Sequence, residues 1–339
     1  MPDNHHVLVI GGAGYVGAIL VPKLLTKGYT VTVLDLYLYG HDIFREYSNH
    51  PKLIQIQGDL RHEALVKKAL SGCDSVIHLA CISNDPSFEL NPELGKSINL
   101  DSFRPVVRAA KEAGVNRFLY ASSSSVYGIK EGVEVTEDLE LEPLTDYSRF
   151  KAMTEEILEE ERKPGFTTCI IRPATVCGYS PRQRLDVIVN ILTTHALVNR
   201  KIRVFGGDQL RPNIHIQDMT NLYVHLMDLP LQQIDGGVYN GGYFNDTVMN
   251  IANTVKRVVE EDTDLGDSKV ELEVVPTDDN RSYHVSSTKL QKELGFTPQF
   301  TIDDAVRDLV KAFKEGNLPN PMDDIRYYNI KTMQDVGLK

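Results

Sequence analysis

Tyr147 and Lys151 stand four residues apart in Tyr147-Ser148-Arg149-Phe150-Lys151. That spacing puts both side chains on one face of a helix, one turn apart. A phenol with its ordinary pKa near 10 is a poor base at neutral pH, but a neighbouring ammonium favours the phenolate. A downward shift of about three units is roughly 4 kcal/mol of differential interaction, within reach of a partly desolvated site. Tyr147 is therefore a candidate general base for a hydroxyl proton. The run Ser122-Ser123-Ser124-Ser125-Val126-Tyr127-Gly128 follows the apolar stretch Phe118–Ala121 and supplies hydroxyls that can bond a substrate oxygen.

Proton removal from a carbinol needs a hydride acceptor, and residues 7–17 carry a signal for one. Val-Leu-Val-Ile-Gly-Gly-Ala-Gly-Tyr-Val-Gly reads as a strand, a phosphate-binding turn and a helix start. Gly11 permits the tight turn, Gly14 lets the main chain approach a pyrophosphate, and Gly17 lets the helix pack on the strand. A second strand, Thr30–Leu34, ends in Asp35 about 20 residues after the glycines, where a carboxylate accepts bonds from an adenosine ribose diol. It would repel the extra phosphate of NADP, so NAD is the expected cofactor. Its oxidised nicotinamide would add a second positive charge favouring the Tyr147 phenolate.

These residues need a scaffold that brings strand ends together. Strand patterns at Leu53–Gln57, Ser75–Leu79, Arg117–Ala121 and Thr168–Arg172 alternate with helix patterns at Glu63–Leu70, Leu100–Ala113 and Tyr147–Glu161. Such alternation predicts crossover units and a parallel sheet covered on both faces. The expected fold class is α/β, a Rossmann doubly wound parallel sheet with a smaller α+β substrate-binding lobe. Helix patterns at Asp186–Val198, Asp218–Met227, Met249–Val259 and Ile302–Lys314, with short strands at Ile202–Phe205 and Val270–Val275, make up the second half. The expected division is residues 1–175 for the NAD-binding domain and 176–339 mainly for the substrate lobe, with part of 212–245 returning to the sheet. Residues from Asn317 onward carry no readable signal.

The chain has 339 residues, 42% hydrophobic and 24% charged, an ordinary globular composition. Its net charge of −11 argues against nucleic acid or an anionic membrane as a general partner, so an anionic ligand must meet a local arginine cluster. The apolar segment Val7–Val21 follows Asp3 and is interrupted by glycines, unlike a signal peptide. Cys73, Cys81, Cys169 and Cys177 are embedded in apolar runs and read as buried small hydrophobes in a reducing, cytoplasmic setting. The histidines show no metal-ligand spacing, and no metal is expected.

Together the motifs resemble the extended short-chain dehydrogenase/reductase family, in particular its nucleotide-sugar epimerases and dehydratases, over almost the whole chain. Further residues carry the likeness: Gly58-Asp59-Leu60, His78-Leu79-Ala80, Asn99, Arg172-Pro173-Ala174-Thr175-Val176, Val204-Phe205-Gly206-Gly207, the segment Arg211 to Asp218, and Leu294-Gly295-Phe296-Thr297-Pro298. The resemblance implies NAD contacts from Gly11, Gly14, Tyr15, Val16, Asp35, Asp59, Leu60, Leu79, Ala80, Asn99, Tyr147 and Lys151. It makes Ser123, Tyr147 and Lys151 the catalytic set, with Ser124 and Ser125 facing the sugar. Arg211 and Arg281 match arginines that hold the substrate diphosphate, and Arg203, Arg182 and Arg184 are further candidates. The implied partner is a nucleotide-diphosphate sugar, and the implied assembly is a homodimer formed through Leu100–Ala113 and Thr145–Glu161.

Two departures from the family pattern matter. Its dehydratases follow the catalytic threonine with an acid–base pair, Asp-Glu, whereas Ser124-Ser125 stand here. Neutral serines are poor agents for removing a C5 proton and expelling water. The expected reaction is therefore epimerisation at C4 through a 4-keto intermediate, with a 4-dehydrogenase or reductase that releases its product as the alternative. Less favoured are a 4,6-dehydratase and a non-catalytic NAD-sensing protein. The second departure, Cys177 in place of an aromatic residue, is expected to alter the sugar pocket.

Overall fold

The computed structural model describes residues 5–83, 85–130, 132–263, 269–277 and 282–338. Seven strands form one sheet: β1 (His6–Ile10), β2 (Thr30–Asp35), β3 (Leu53–Gln57), β4 (Ser75–His78), β5 (Arg117–Ala121), β6 (Thr167–Pro173) and β7 (Gly237–Gly241). Their order is β7-β6-β5-β4-β1-β2-β3, and every neighbouring pair is parallel. The order reverses between β1 and β4, where Val7 is registered with Val31 on one side and Ser75 on the other. An open sheet of this kind leaves a crevice at the carboxyl ends of those strands.

Alternation along the strands sorts side chains onto the two faces. Val7, Val9, Val31, Val33, Ile77, Leu119 and Ile171 lie under α1 (Gly17–Thr26) and α6 (Ile216–Asp228). Leu8, Ile10, Leu34, Val76, Phe118, Tyr120 and Ile170 lie under α2 (Glu63–Ala69), α3 (Phe103–Glu112) and α4 (Asp146–Glu161). Each fully buried aliphatic side chain contributes about 1.5–3 kcal/mol of transfer free energy, and burial on both faces explains why these strands read as continuous apolar runs.

A third apolar cluster joins α5 (Ile188–Asn199), α7 (Val248–Asp262) and α8 (Ile302–Lys314) through residues such as Val189, Ile251, Val255 and Val306. Beside it, Leu210–His215 pairs in parallel with Thr175–Cys177 and antiparallel with Phe244–Thr247. The chain then returns to the large sheet, through α6 on one face and β7 at the edge.

One helix differs from its expected outline. The pattern from Leu100 to Ala113 divides into a π-helical turn, Ser97–Asp101, and α3. The cause lies at Asn99, whose Oδ1 accepts from Ile82 N at 2.8 Å while its Nδ2 donates to Ile82 O at 2.9 Å. This buried clamp ties the helix to the segment after β4 and holds the extra residue in the turn.

Candidate active site

A cavity of about 560 Å³ opens at the carboxyl ends of the strands. Gly11, Gly14, Tyr15, Val16, Asp35, Leu60, Leu79, Ala80, Ser123, Ser124, Ser125, Tyr147 and Arg211 all line it. Asn99, Asp59 and Arg203 stand away from this lining. Asn99 makes the clamp described above, and the Asp59 carboxylate is taken by Arg61 at 2.6 Å. Arg203 pairs with Glu273 at 3.3 Å on an exposed strand. Arg281 lies outside the described residues.

The glycine turn is shaped for an anion. Gly11 has φ +79°, and a Cβ there would sit 2.5 Å from Ala80 N, so only glycine lets β1 and the segment after β4 meet this closely. A Cβ on Gly14 would meet only Gly11 O, leaving that side of the turn open to the cavity. The amides of Tyr15 and Val16, at the head of α1, have no partner among the described residues. Free amides at a helix N-terminus favour phosphate oxygens. Asp35 accepts from Ala13 N at 2.9 Å and Tyr37 N at 2.8 Å, which fixes its carboxylate at the cavity edge; burial raises its pKa. The donor set and the open turn fit a dinucleotide diphosphate with its ribose on Asp35.

Across the cavity, the N-terminus of α4 presents Tyr147. Thr145 caps the helix and forms a reciprocal box with Ser148, which fixes Tyr147 in the first turn. Lys151 lies one turn on, buried behind the phenol, its Nζ donating to Ala121 O at 2.6 Å and standing 4.8 Å from the Tyr120 ring centroid. Burial lowers the Lys151 pKa, but Cys81, Tyr120 and Tyr147 raise it further, so the ammonium is retained. For Tyr147 the balance differs from the sequence expectation. Burial first, and then Cys81, raise the phenol's pKa, and the balance stays upward although Lys151 and the Ser123 hydroxyl lower it. A positive charge bound in the cavity would act in the opposite direction and favour the phenolate.

The serine turn has a rigid foundation. Ser123 caps a short 3₁₀ turn, its Oγ 2.8 Å from Ser125 Oγ. Beneath it, Ser122 donates to Glu155, which forms a buried ion pair with Arg172 at 2.6 Å. Arg172 also donates to Tyr127 Oη at 2.7 Å, and Tyr127 donates to Asn240 Oδ1 at 2.7 Å. The network joins β5, α4, β6 and β7 directly below the hydroxyls.

Residues 178–188 and the C-terminal segment supply the opposite wall. Arg184 is paired with Asp186 at 2.6 Å, and both line the cavity with Arg182. Asn329, from a segment in which the sequence showed no signal, also lines it. Its Nδ2 donates to Ser83 Oγ at 2.8 Å and its main-chain N to Asp186 Oδ2 at 2.9 Å. The tail therefore packs on the site, which no feature of its sequence foretold. Cys177 corrects another expectation: it is buried in the lobe core, its Sγ 3.5 Å from Ile214 O, and does not line the cavity. Thr175 and Val176 line it instead. Among the described residues no cluster of three metal-ligating side chains occurs, and no helix is long and apolar enough to cross a membrane.

Residues 7–242 match the sequence profile of the NAD dependent epimerase/dehydratase family. Over 331 residues the chain is 27% identical to a UDP-glucose 4-epimerase of Lactobacillus helveticus, covering 91% of this chain and 97% of that protein. Its fold matches the crystal structure of UDP-glucose 4-epimerase from Thermotoga maritima with a TM-score of 0.80 at 24% identity, covering 91% and 99% of the two chains. It also matches the dTDP-glucose 4,6-dehydratase DesIV from Streptomyces venezuelae, solved with NAD, with a TM-score of 0.81 at 23% identity over 93% and 99%.

Proposed function

From the premise that the chain belongs to the NAD-dependent epimerase/dehydratase family, and is thus an NAD-dependent enzyme, we propose that it epimerises a nucleotide-diphosphate sugar at C4. The observation that carries this reading is the grouping of Ser123, Tyr147 and Lys151 at a cavity whose adjoining positions, 124 and 125, hold neutral serines. The relatives named for UDP-glucose and dTDP-glucose chemistry support a nucleotide-sugar substrate.

When bound, NAD supplies the hydride acceptor, the returning hydride and a positive charge that favours the Tyr147 phenolate. Tyr147 takes the proton of the C4 hydroxyl as phenolate, with the Lys151 ammonium behind it stabilising that charge. Ser123 holds the same oxygen by a hydrogen bond. The cavity would let the 4-ketone turn, and Tyr147 would return its proton to the C4 oxygen once the opposite face is reduced. Ser124 and Ser125 bond sugar hydroxyls without offering an acid–base pair. Arg211 meets the substrate diphosphate with its planar fork. In this division of labour residues 1–175 hold the cofactor, and 176–339 mainly hold the sugar nucleotide. The enzyme is read as a cytoplasmic homodimer pairing α3 and α4 across a two-fold axis, for which light scattering should give twice the 38.0 kDa chain mass.

The reaction is tested with a panel of nucleotide hexoses in D₂O, read by NMR. The expected product is inverted at C4, keeps its C5 hydrogen and its C6 hydroxyl, and forms without net consumption of NAD. Deuterium at C5 with loss of the C6 hydroxyl would overturn the epimerase reading. NADH in proportion to an unreduced ketone would move the assignment to a 4-dehydrogenase.

A further inference from the structure

The cofactor side of the cavity contains a buried cation that the reaction above does not use. We propose that Arg182 is a ligand of the NAD diphosphate, delivered onto the glycine turn by the second half of the chain and held there by Asn329. The proposal rests on NAD lying along that turn.

Position supplies the first argument. The loop that carries Arg182 is fastened to the turn itself: Tyr15 Oη donates to Gly178 O at 2.5 Å, and Ser180 Oγ donates to Tyr15 O at 2.8 Å. The Arg182 guanidinium lies 3.4 Å from the centroid of the Tyr39 ring, four residues beyond Asp35, and is close enough to lower the Asp35 pKa against the effect of burial. Arg182 is thus bracketed by the two elements expected to hold a dinucleotide, the glycine turn and the ribose-binding carboxylate. This places it nearer the cofactor than the substrate diphosphate suggested by sequence alone.

Charge supplies the second. Arg182 is only 4% exposed, yet among the described residues no carboxylate lies within 4 Å of it. Its neighbours at this end of the sheet are neutralised, the buried Arg172 by Glu155 and the partly buried Arg184 by Asp186. Arg182 has the Tyr39 face, a short bond from Nη2 to Asn329 Oδ1 at 2.6 Å and a long one from Nη1 to Gln183 O at 3.5 Å, while its Nε has no partner. A buried cation without a counter-ion carries an unpaid desolvation cost, which an anionic ligand removes. The turn offers free amides but no lysine or arginine from Gly11 to Pro22. Arg182 supplies the charge this motif lacks, in the bidentate form suited to phosphate. Asn329 also bonds Ser83 and Asp186, so the C-terminal segment aims the guanidinium without neutralising it.

The test is calorimetric, on the full chain freed of any retained NAD, with ADP-ribose, adenosine and UDP as probes. Arg182→Met should weaken ADP-ribose by about ten-fold or more, leave adenosine and UDP within about two-fold, and reduce the salt dependence of ADP-ribose binding. Asn329→Ala should act in the same direction by a smaller factor. Arg182→Lys, which keeps the charge and loses the fork, should fall between and carries the test if Arg182→Met fails to fold. Unchanged ADP-ribose binding with weakened UDP would overturn the proposal and assign Arg182 to the substrate. Equal losses for adenosine and ADP-ribose would overturn it too, leaving Arg182 only a support for Tyr39. Wild-type protein that does not bind ADP-ribose would instead sink the placement of the cofactor, whatever the variants do.

Discussion

The two walls of the cavity are built on opposite electrostatic plans. Among the described residues, the wall from the first half of the chain contributes amides, hydroxyls and the carboxylates Asp35 and Asp85, but no lysine or arginine. The wall from the second half contributes Arg182, Arg184 and Arg211, against the one carboxylate Asp186 that pairs with Arg184. Neither is a complete site for two diphosphates. In the proposed reaction the first would recognise shape and orient the reacting oxygen, and the second would supply charge in a protein whose net charge is −11. A chain that repels anions overall can bind them where guanidinium groups are enclosed with the ligand, because screening is weak there.

If the first wall owes its precision to a rigid base, breaking that base should have the largest effect. Arg172→Met leaves the Glu155 carboxylate buried without its partner and should cost about 3–5 kcal/mol in urea unfolding. A loss below about 1 kcal/mol would mean that the network is solvated and the wall soft. Tyr147→Phe tests the chemistry of the same wall without disturbing its charge. Turnover should fall by at least about 100-fold with NADH affinity little changed, as measured by single-turnover kinetics and fluorescence titration.

The second wall should fail differently. Arg211→Ala should weaken UDP binding by about ten-fold while sparing NADH, because it removes charge and not a reacting group. Equal loss of both ligands would erase the distinction between the walls. A smaller effect is expected at Asp35, where replacement by Ala should narrow the preference for NAD over NADP by about a few-fold, the scale of one ordinary net hydrogen bond. Comparable wild-type affinities for the two cofactors would remove Asp35 from the argument.

The last difference is silent at neutral pH. His78, at the end of β4, is fully buried with neither ring nitrogen bonded, and burial, then the Lys151 charge, depress its pKa to about 3. The unfolded chain takes up this proton near 6.5, so the stability it contributes is complete above that pH and is lost as pH falls toward about 3. His78→Phe should flatten the acid limb of the stability profile, and an unchanged limb would assign acid lability to other groups.

Legibility followed the distance over which each feature is encoded. The alternating strands and helices and the parallel sheet are written in local periodicity, because two-sided burial demands apolar runs of the right length. The glycine turn, the serine run and Tyr147 with Lys151 each occupy a few consecutive residues, and the glycines, Ser122–Ser125 and Tyr147 line the cavity, while Lys151 is buried with its Nζ on Ala121 O. Asp59 and Asn99 were equally local as motifs, but their side chains satisfy Arg61 and the Ile82 main chain. A sequence position does not reveal which neighbour consumes a polar group. Cys177 shows the same limit, since whether a residue after a strand faces the pocket or the core depends on the pairing of Thr175–Cys177 with Leu210–His215.

By itself, then, the sequence determined the fold class, the cofactor type and the catalytic spacing, each specified by contacts within one or two turns of chain. Tertiary structure decided which arginines are neutralised, the upward effect of burial on the Tyr147 pKa and the docking of the tail. Those depend on desolvation and on partners far apart in sequence, such as Asn329 with Ser83 and Arg182, and no local pattern encodes a charge balance that exists only after the lobes have closed around it.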